Sequence, residues 1–199
     1  MSIRIYTMTH KKFEVPKDTM YVPLQVGRAT HEDLGYLGDN TGDTISEKNC
    51  YYSELTGIYW IWKNVQDLDY VGVCHYRRYL INEQGKVFTK QELLQILQKV
   101  DVITTKRVKL RMPYYEGYKK VHHIENLDAT GAVIKELYPD YYPMFERLVH
   151  GDETYFGNIM IAKKEVFDAY AKWLFTIFAE VEKRVNIDSY DDYHKRVFG

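Results

Sequence analysis

The residues best suited to chemistry lie in YVGVCHYRRYL, where an apolar run at 70–74 passes directly into His75, Tyr76, Arg77, Arg78 and Tyr79. A strand feeding this cluster sets an imidazole and two guanidinium groups at its carboxyl end, and a diphosphate suits them. Each guanidinium is a planar fork of donors that grips two phosphate oxygens at once and stabilises the charge of a departing nucleoside diphosphate. Side chains alternate along an extended segment, so a second arrangement stays open: one arginine pairs with a core carboxylate while the other faces the crevice.

Two acidic segments are further candidates. LGDNTGDTIS at 37–46 offers backbone donors and the carboxylates Asp39 and Asp43 to a ribose or a sugar, although turn chemistry and helix capping account for the same residues. GDETYFGN at 151–158 sets Asp152 beside Glu153, and either is a candidate general base for the proton of an acceptor hydroxyl. Solvated acids on a turn read the same way in sequence.

Asp67-Leu68-Asp69 spells the Asp-x-Asp with which many nucleotide-sugar enzymes bind a metal. It precedes the strand, roughly 20 Å from the carboxyl end at about 3.3 Å per residue, and reads as a helix-to-strand turn. The scattered histidines have no zinc-site spacing such as HExxH. No metal ligand is therefore expected and no cofactor is assigned, with a divalent cation (manganese or magnesium) at the diphosphate left as an alternative.

Positioning such residues takes strands and helices. Strands are expected at 3–7, 70–74, 102–105 and 158–161 from their β-branched, apolar composition. Ser46 opens a helix whose stripe is Tyr52, Leu55, Tyr59 and Trp62 and which ends near Asn64. Thr89 with Glu92 forms a capping box ahead of Leu93, Leu94, Leu97 and Val100. Further helices are expected at 129–137, 141–148 and from 164 to about 184, the last with Val166, Phe167, Tyr170, Trp173, Leu174, Ile177 and Val181 inward. Such alternation predicts an α/β fold with a mostly parallel sheet flanked by helices, with ligands beyond the carboxyl ends of its strands. No repeat or flexible linker interrupts the chain, so a single domain over 1–199 is expected, with 106–126 as a mobile loop.

Composition narrows the partners. With 27 basic and 28 acidic residues, the net charge of −1 gives no broad positive field for nucleic acid. The two cysteines, Cys50 and Cys74, are expected to be buried free thiols in a reducing compartment. The start lacks the apolar core of a secretory signal and no later run is long and apolar enough for a membrane span, so a cytosolic location is expected. The 19 tyrosines supply flat faces suited to stacking on sugars or bases.

Taken together, LGDNTGDTISEKNCYYSELTGIYWIWKN, YVGVCHYRRYL and GNIMIAKKEVFDAYAKWLF resemble a bacterial family of capsular and exopolysaccharide biosynthesis glycosyltransferases, along nearly the whole chain. The resemblance implies a nucleotide-sugar-dependent transferase with a GT-A-like, Rossmann-related fold, acting on capsule, O-antigen or exopolysaccharide precursors. Because some such proteins are described as galactosyl- or galactofuranosyltransferases, it favours a UDP-sugar donor. Carried onto this sequence, the implied donor-side residues are Thr9, His10, Asp39, Asp43, Asn49, Glu54, His75, Arg77 and Arg78. The closing YDDYHKRVFG looks like the point at which relatives continue into another helix.

An acceptor carried on a lipid would bring the protein to the inner membrane face. There Lys106, Arg107, Lys109, Arg111, Lys119 and Lys120 would favour anionic headgroups, although a solvated basic loop reads equally well. The alternative from another class is a non-catalytic carbohydrate- or nucleotide-binding domain that stacks ligands on its tyrosines. A nucleotidyltransferase fits less well, because the first strand ends in YTMTHKK, without a glycine-rich phosphate loop.

Overall fold

A computed structural model describes residues 1–199. The strands are β1 (Ile3–Thr9), β2 (Tyr21–Gln25), β3 (Leu37–Gly38), β4 (Tyr70–His75), β5 (Val102–Thr104), β6 (Val108–Lys109), β7 (Glu153–Thr154) and β8 (Met160–Lys163). The α-helices are α1 (Asn49–Tyr52), α2 (Leu55–Asn64), α3 (Lys90–Leu97), α4 (Tyr114–Val121), α5 (Ile124–Leu137), α6 (Tyr142–Val149) and α7 (Lys164–Glu182). The chain forms two compact units, one of residues 1–105, 157–172 and 199, the other of residues 106–156 and 173–198.

The first unit holds a six-stranded sheet in the order β3-β2-β1-β4-β8-β5. β3, β2, β1 and β4 run parallel, and β8 is antiparallel to both β4 and β5, so only β8 points the other way. This is the mostly parallel α/β arrangement expected from the alternation of elements. The central strands β1 and β4 are buried along nearly their whole length, as in sheets covered on both faces. On one face Ile3, Ile5, Tyr70, Cys74 and Ile161 pack with Leu93 and Leu97 of α3. On the other, α2 lays its apolar side on the sheet, with Tyr6 edge-on to Trp60 at a centroid distance of 6.3 Å.

Three local departures from expectation have physical causes. β2 contains Pro23, a residue that argues against a strand in sequence. It is tolerated because the edge strand β3 reaches only Leu24 and Gln25, so no ladder bond on that side is lost at Pro23. The expected strand at 158–161 begins instead at Met160, since Gly157 (φ 101°) and Asn158 (φ 43°) adopt left-handed backbone. The single helix expected from Ser46 to Asn64 is broken at Ser53 (φ 48°, ψ −128°), leaving a 3-10 turn, α1 and α2.

The capping box at Thr89 and Glu92 is present, but α3 stops at Leu97 and Val100 is exposed. Cys74 is buried as expected, whereas Cys50 is exposed.

In the second unit, β6 and β7 pair into a short antiparallel ribbon, with α4, α5 and α6 between them in the chain. The segment expected to be a mobile loop is thus β6, α4 and the start of α5. Its charged and aromatic residues alternate too irregularly for a period to show in sequence. Residues near 190 are fastened to this unit by Tyr190, whose hydroxyl donates to Asn126 Oδ1 at 3.1 Å and whose ring stacks on His123 at 4.0 Å. His194 lies 2.7 Å from Asp191, and this hydrogen bond raises the imidazole pKa.

Close packing of α2 on the sheet requires Gly57, where a Cβ would stand 2.5 Å from Met8 Sδ and 2.8 Å from Val26 Cγ1. Gly57→Val should lower stability by about 1–3 kcal/mol through overpacking. The expected signature in urea unfolding is a reduced midpoint at unchanged slope.

Candidate functional site

From β1 the chain passes outward to β2 and β3, then returns to place β4 on the opposite side of β1. The strand order therefore reverses between β1 and β4, and in open α/β sheets the crevice beyond the carboxyl ends at such a point is where ligands bind. Thr9 and His10 end one of these strands, and His75-Tyr76-Arg77-Arg78 ends the other.

The second segment is a tight turn. His75 N–H donates to Arg78 O at 3.1 Å, Arg78 N–H donates back to His75 O at 2.9 Å, and Tyr76 N–H donates to Met8 O at 3.1 Å. The turn is thereby stitched to the end of β1. Tyr76 packs against Phe13 and edge-on to His10, and the Arg77 guanidinium lies 4.9 Å from its ring centroid. Arg77 and Arg78 are both exposed, and neither has a carboxylate partner. Of the two arrangements left open by sequence, the core ion pair is therefore excluded. Thr9 is buried, with its hydroxyl spent on the main chain at Lys11, so it shapes the loop from inside.

Beside the turn, a partly buried polar group forms. His75 Nε2 donates to Gly157 O at 2.8 Å, which fixes the proton on that nitrogen because a carbonyl can only accept. Glu54 Oε1 lies 3.9 Å from His75 Nε2 and accepts from Asn158 Nδ2 at 2.9 Å. This group joins the start of α2, the end of β4 and the segment before β8. Asn158 was missed in sequence because NIMI looks like one strand. The Gly-Asn dipeptide, whose members favour left-handed backbone, was the available signal.

Asp39 is fully buried. It accepts from the backbone N–H of Gly27 (2.9 Å) and Arg28 (3.1 Å) and from the hydroxyls of Ser46 (2.5 Å) and Thr56 (2.6 Å). Asn49 donates to Ser53 O at 2.7 Å and packs on Gly27, where a Cβ would stand 2.5 Å from its Cγ. Both residues hold the walls of the crevice together, and Asp39 has no face turned to a ligand.

Asp43 lies elsewhere, accepting from Tyr59 Oη at 3.0 Å and joined to Asn64 in the last turn of α2. At 1.5 Å per residue, that turn is about 15 Å from Glu54. Asp152 and Glu153 belong to the ribbon of the second unit and form ion pairs with Lys109 (3.8 Å) and Arg107 (3.0 Å).

Asp67 and Asp69 sit in the turn before β4, and Asp69 accepts from the Ser2 N–H at 2.6 Å. No group of three or more His, Cys, Asp or Glu side chains is arranged to hold a metal ion. Burial pushes the Cys74 thiol up to about 12, so it is a packing residue and not a nucleophile.

With this geometry in hand, the relationships of the chain are informative. Residues 4–199 match the family model described as a domain of unknown function, DUF4422, and the chain belongs to that family. It is also similar to the solved apo structure of the bifunctional glycosyltransferase WbbM, with a TM-score of 0.92 and 30% sequence identity. That likeness covers 100% of this chain and 40% of the WbbM chain, so this chain spans less than half the length of that protein. No curated protein matches it.

Asp39→Asn replaces an acceptor-only carboxylate with an amide that sets N–H against N–H. It should cost about 3 kcal/mol, as expected when buried donors to a charged group are left unsatisfied. Equilibrium unfolding measures this, and a loss below about 1 kcal/mol would show that the four donors do not depend on the charge.

Proposed function

We propose that this chain is a glycosyltransferase domain that moves a hexosyl unit from a nucleotide-sugar, most suitably a UDP-sugar, to a hydroxyl of a capsule, O-antigen or exopolysaccharide precursor. The observation that carries this reading is the pair of exposed, uncompensated guanidinium groups of Arg77 and Arg78 at the reversal of strand order. The likeness to WbbM, a glycosyltransferase, supports it.

In this reading Arg77 and Arg78 grip the diphosphate. As the bond from the anomeric carbon to the phosphate oxygen breaks, its electron pair moves onto that oxygen, and the guanidinium charges stabilise it. The acceptor hydroxyl oxygen forms the new bond at the anomeric carbon. Its proton passes to a carboxylate if the reaction inverts, either Glu54 beside His75 or one of Asp152 and Glu153. His10 and Tyr76 offer ring faces near the diphosphate position, and His75 keeps Glu54 and Gly157 in register. Two guanidinium groups reduce the need for a divalent cation, so none is assigned.

The proposed setting is the bacterial cytoplasm, with a lipid-linked acceptor at the inner membrane face. No helix is long and apolar enough to cross a membrane. Arg107 and Lys109 are paired with carboxylates, so contact with anionic lipid would fall to Lys106, Arg111, Lys119 and Lys120.

The test is thermal stability with UDP, GDP, CMP and dTDP, each with and without manganese. A nucleotide present at 100 times its Kd should stabilise the fold by about 2.7 kcal/mol. Arg78→Ala should weaken that nucleotide by about tenfold or more while leaving the unliganded melting temperature unchanged. No shift with any nucleotide, or a full shift in Arg78→Ala, would overturn the reading; dependence on manganese would overturn the cation-free assignment.

A further inference from the structure

The second unit contains a pocket of about 360 Å3 between α4, α5 and α6, within the range of small-molecule sites, about 300–1,000 Å3. Its apolar wall is made by Tyr142 and Phe145, whose rings lie 6.3 Å apart and within 23° of parallel. Phe145 packs directly on Gly131 of α5, where a Cβ would stand 2.7 Å from its Cε1. The polar rim is Asp128, Glu146, Lys135 and His150, whose Nε2 stands 3.8 Å from Glu146 Oε2. Tyr115 Oη donates to Asp128 Oδ1 at 2.9 Å, which fixes that carboxylate and leaves Oδ2 to accept from a ligand. Lys135 Nζ stands 5.2 Å from the Tyr142 ring centroid, so its charge borders the same wall.

These groups select a ligand class. A phosphate or other anion meets the Asp128 and Glu146 carboxylates as well as the Lys135 ammonium and the His150 imidazole, and so finds no net positive field. A wholly apolar ligand would strip water from the carboxylates without replacing its hydrogen bonds. A neutral sugar ring satisfies both demands: its C–H face lies on the aromatic wall, its hydroxyls donate to Asp128 and Glu146, and one hydroxyl oxygen accepts from Lys135.

We propose that this pocket binds a neutral saccharide unit. In the transferase reading, on which this further step rests, that unit is a sugar residue of the acceptor glycan. The binding itself depends only on the second unit's own residues.

The experiment is saturation-transfer NMR on the full chain with the methyl glycosides of galactose, glucose, mannose and N-acetylglucosamine. At least one should receive saturation at its ring C–H protons. Asp128→Asn and Lys135→Ala, both at exposed positions, should each weaken that binding by about tenfold or more with no change in melting temperature. Arg78→Ala and added UDP should leave it unchanged. Absence of transfer from every glycoside, transfer unaffected by both pocket variants, or displacement by UDP would overturn the proposal. Saccharide binding in a chain that binds no nucleotide would sustain the pocket while removing the transferase reading.

Discussion

A charge at Asp39 is held wholly out of water, and taking a carboxylate into a protein interior costs several kcal/mol unless every lone pair is met. Here two main-chain N–H groups at the end of β2 and two hydroxyls, one ahead of α1 and one in α2, meet it. Those donors come from separate stretches of sequence, so the carboxylate can be satisfied only when all of them have arrived. Its desolvation thereby becomes a constraint on geometry: β2, the turn at Gly27 and the first turn of α2 must meet at one point. Since Glu54 begins that helix, the same constraint sets the carboxylate of the crevice opposite His75.

Of the three non-glycine residues with positive φ, Asp67 (φ 59°) turns the chain into β4, and the other two lie at the same end of the sheet as Asp39. Ser53 (φ 48°) and Asn158 (φ 43°) have side chains yet hold left-handed backbone, and they flank the Glu54–Asn158 hydrogen bond. Such conformations cost about 1–3 kcal/mol each and persist where the surroundings over-determine them. Ser53 is over-determined by its carbonyl, which accepts from Asn49 Nδ2 and from the Thr56 backbone N–H. The strain ends α1, restarts the chain as α2 and aims Glu54 at His75. By contrast, the guanidinium groups of Arg77 and Arg78 have no carboxylate partner, Arg77 only bordering the Tyr76 ring, which is the state expected of groups whose partner is a ligand.

Much of the central sheet was legible because burial on both faces leaves a plain apolar run, as in YVGVC, and because the Thr89–Glu92 cap is a local signal. The HYRR segment could be placed at a strand end for the same reason. Direction could not be read: nothing in MIAK tells a parallel from an antiparallel neighbour, and β8 is antiparallel. Nor could burial of an acid. Asp39 and Asp43 look alike in sequence, yet one is the hub of a buried network and the other sits at the far turn of α2, because the path of the loop between them is set by long-range partners such as Thr56 and Asn64. Asp152 and Glu153 look in sequence like candidate bases or solvated loop acids. Their pairing across a ribbon depended on β6, which is too short to show a pattern.

The central claim is that the ends of β1 and β4 receive a nucleoside diphosphate. A crystal structure of the chain with UDP tests it most directly. The account predicts diphosphate oxygens about 2.8 Å from the guanidinium nitrogens of Arg77 or Arg78, with the uridine resting in the crevice. UDP bound at the amino end of β4, beside Asp67 and Asp69, with the two arginines unengaged, would contradict it.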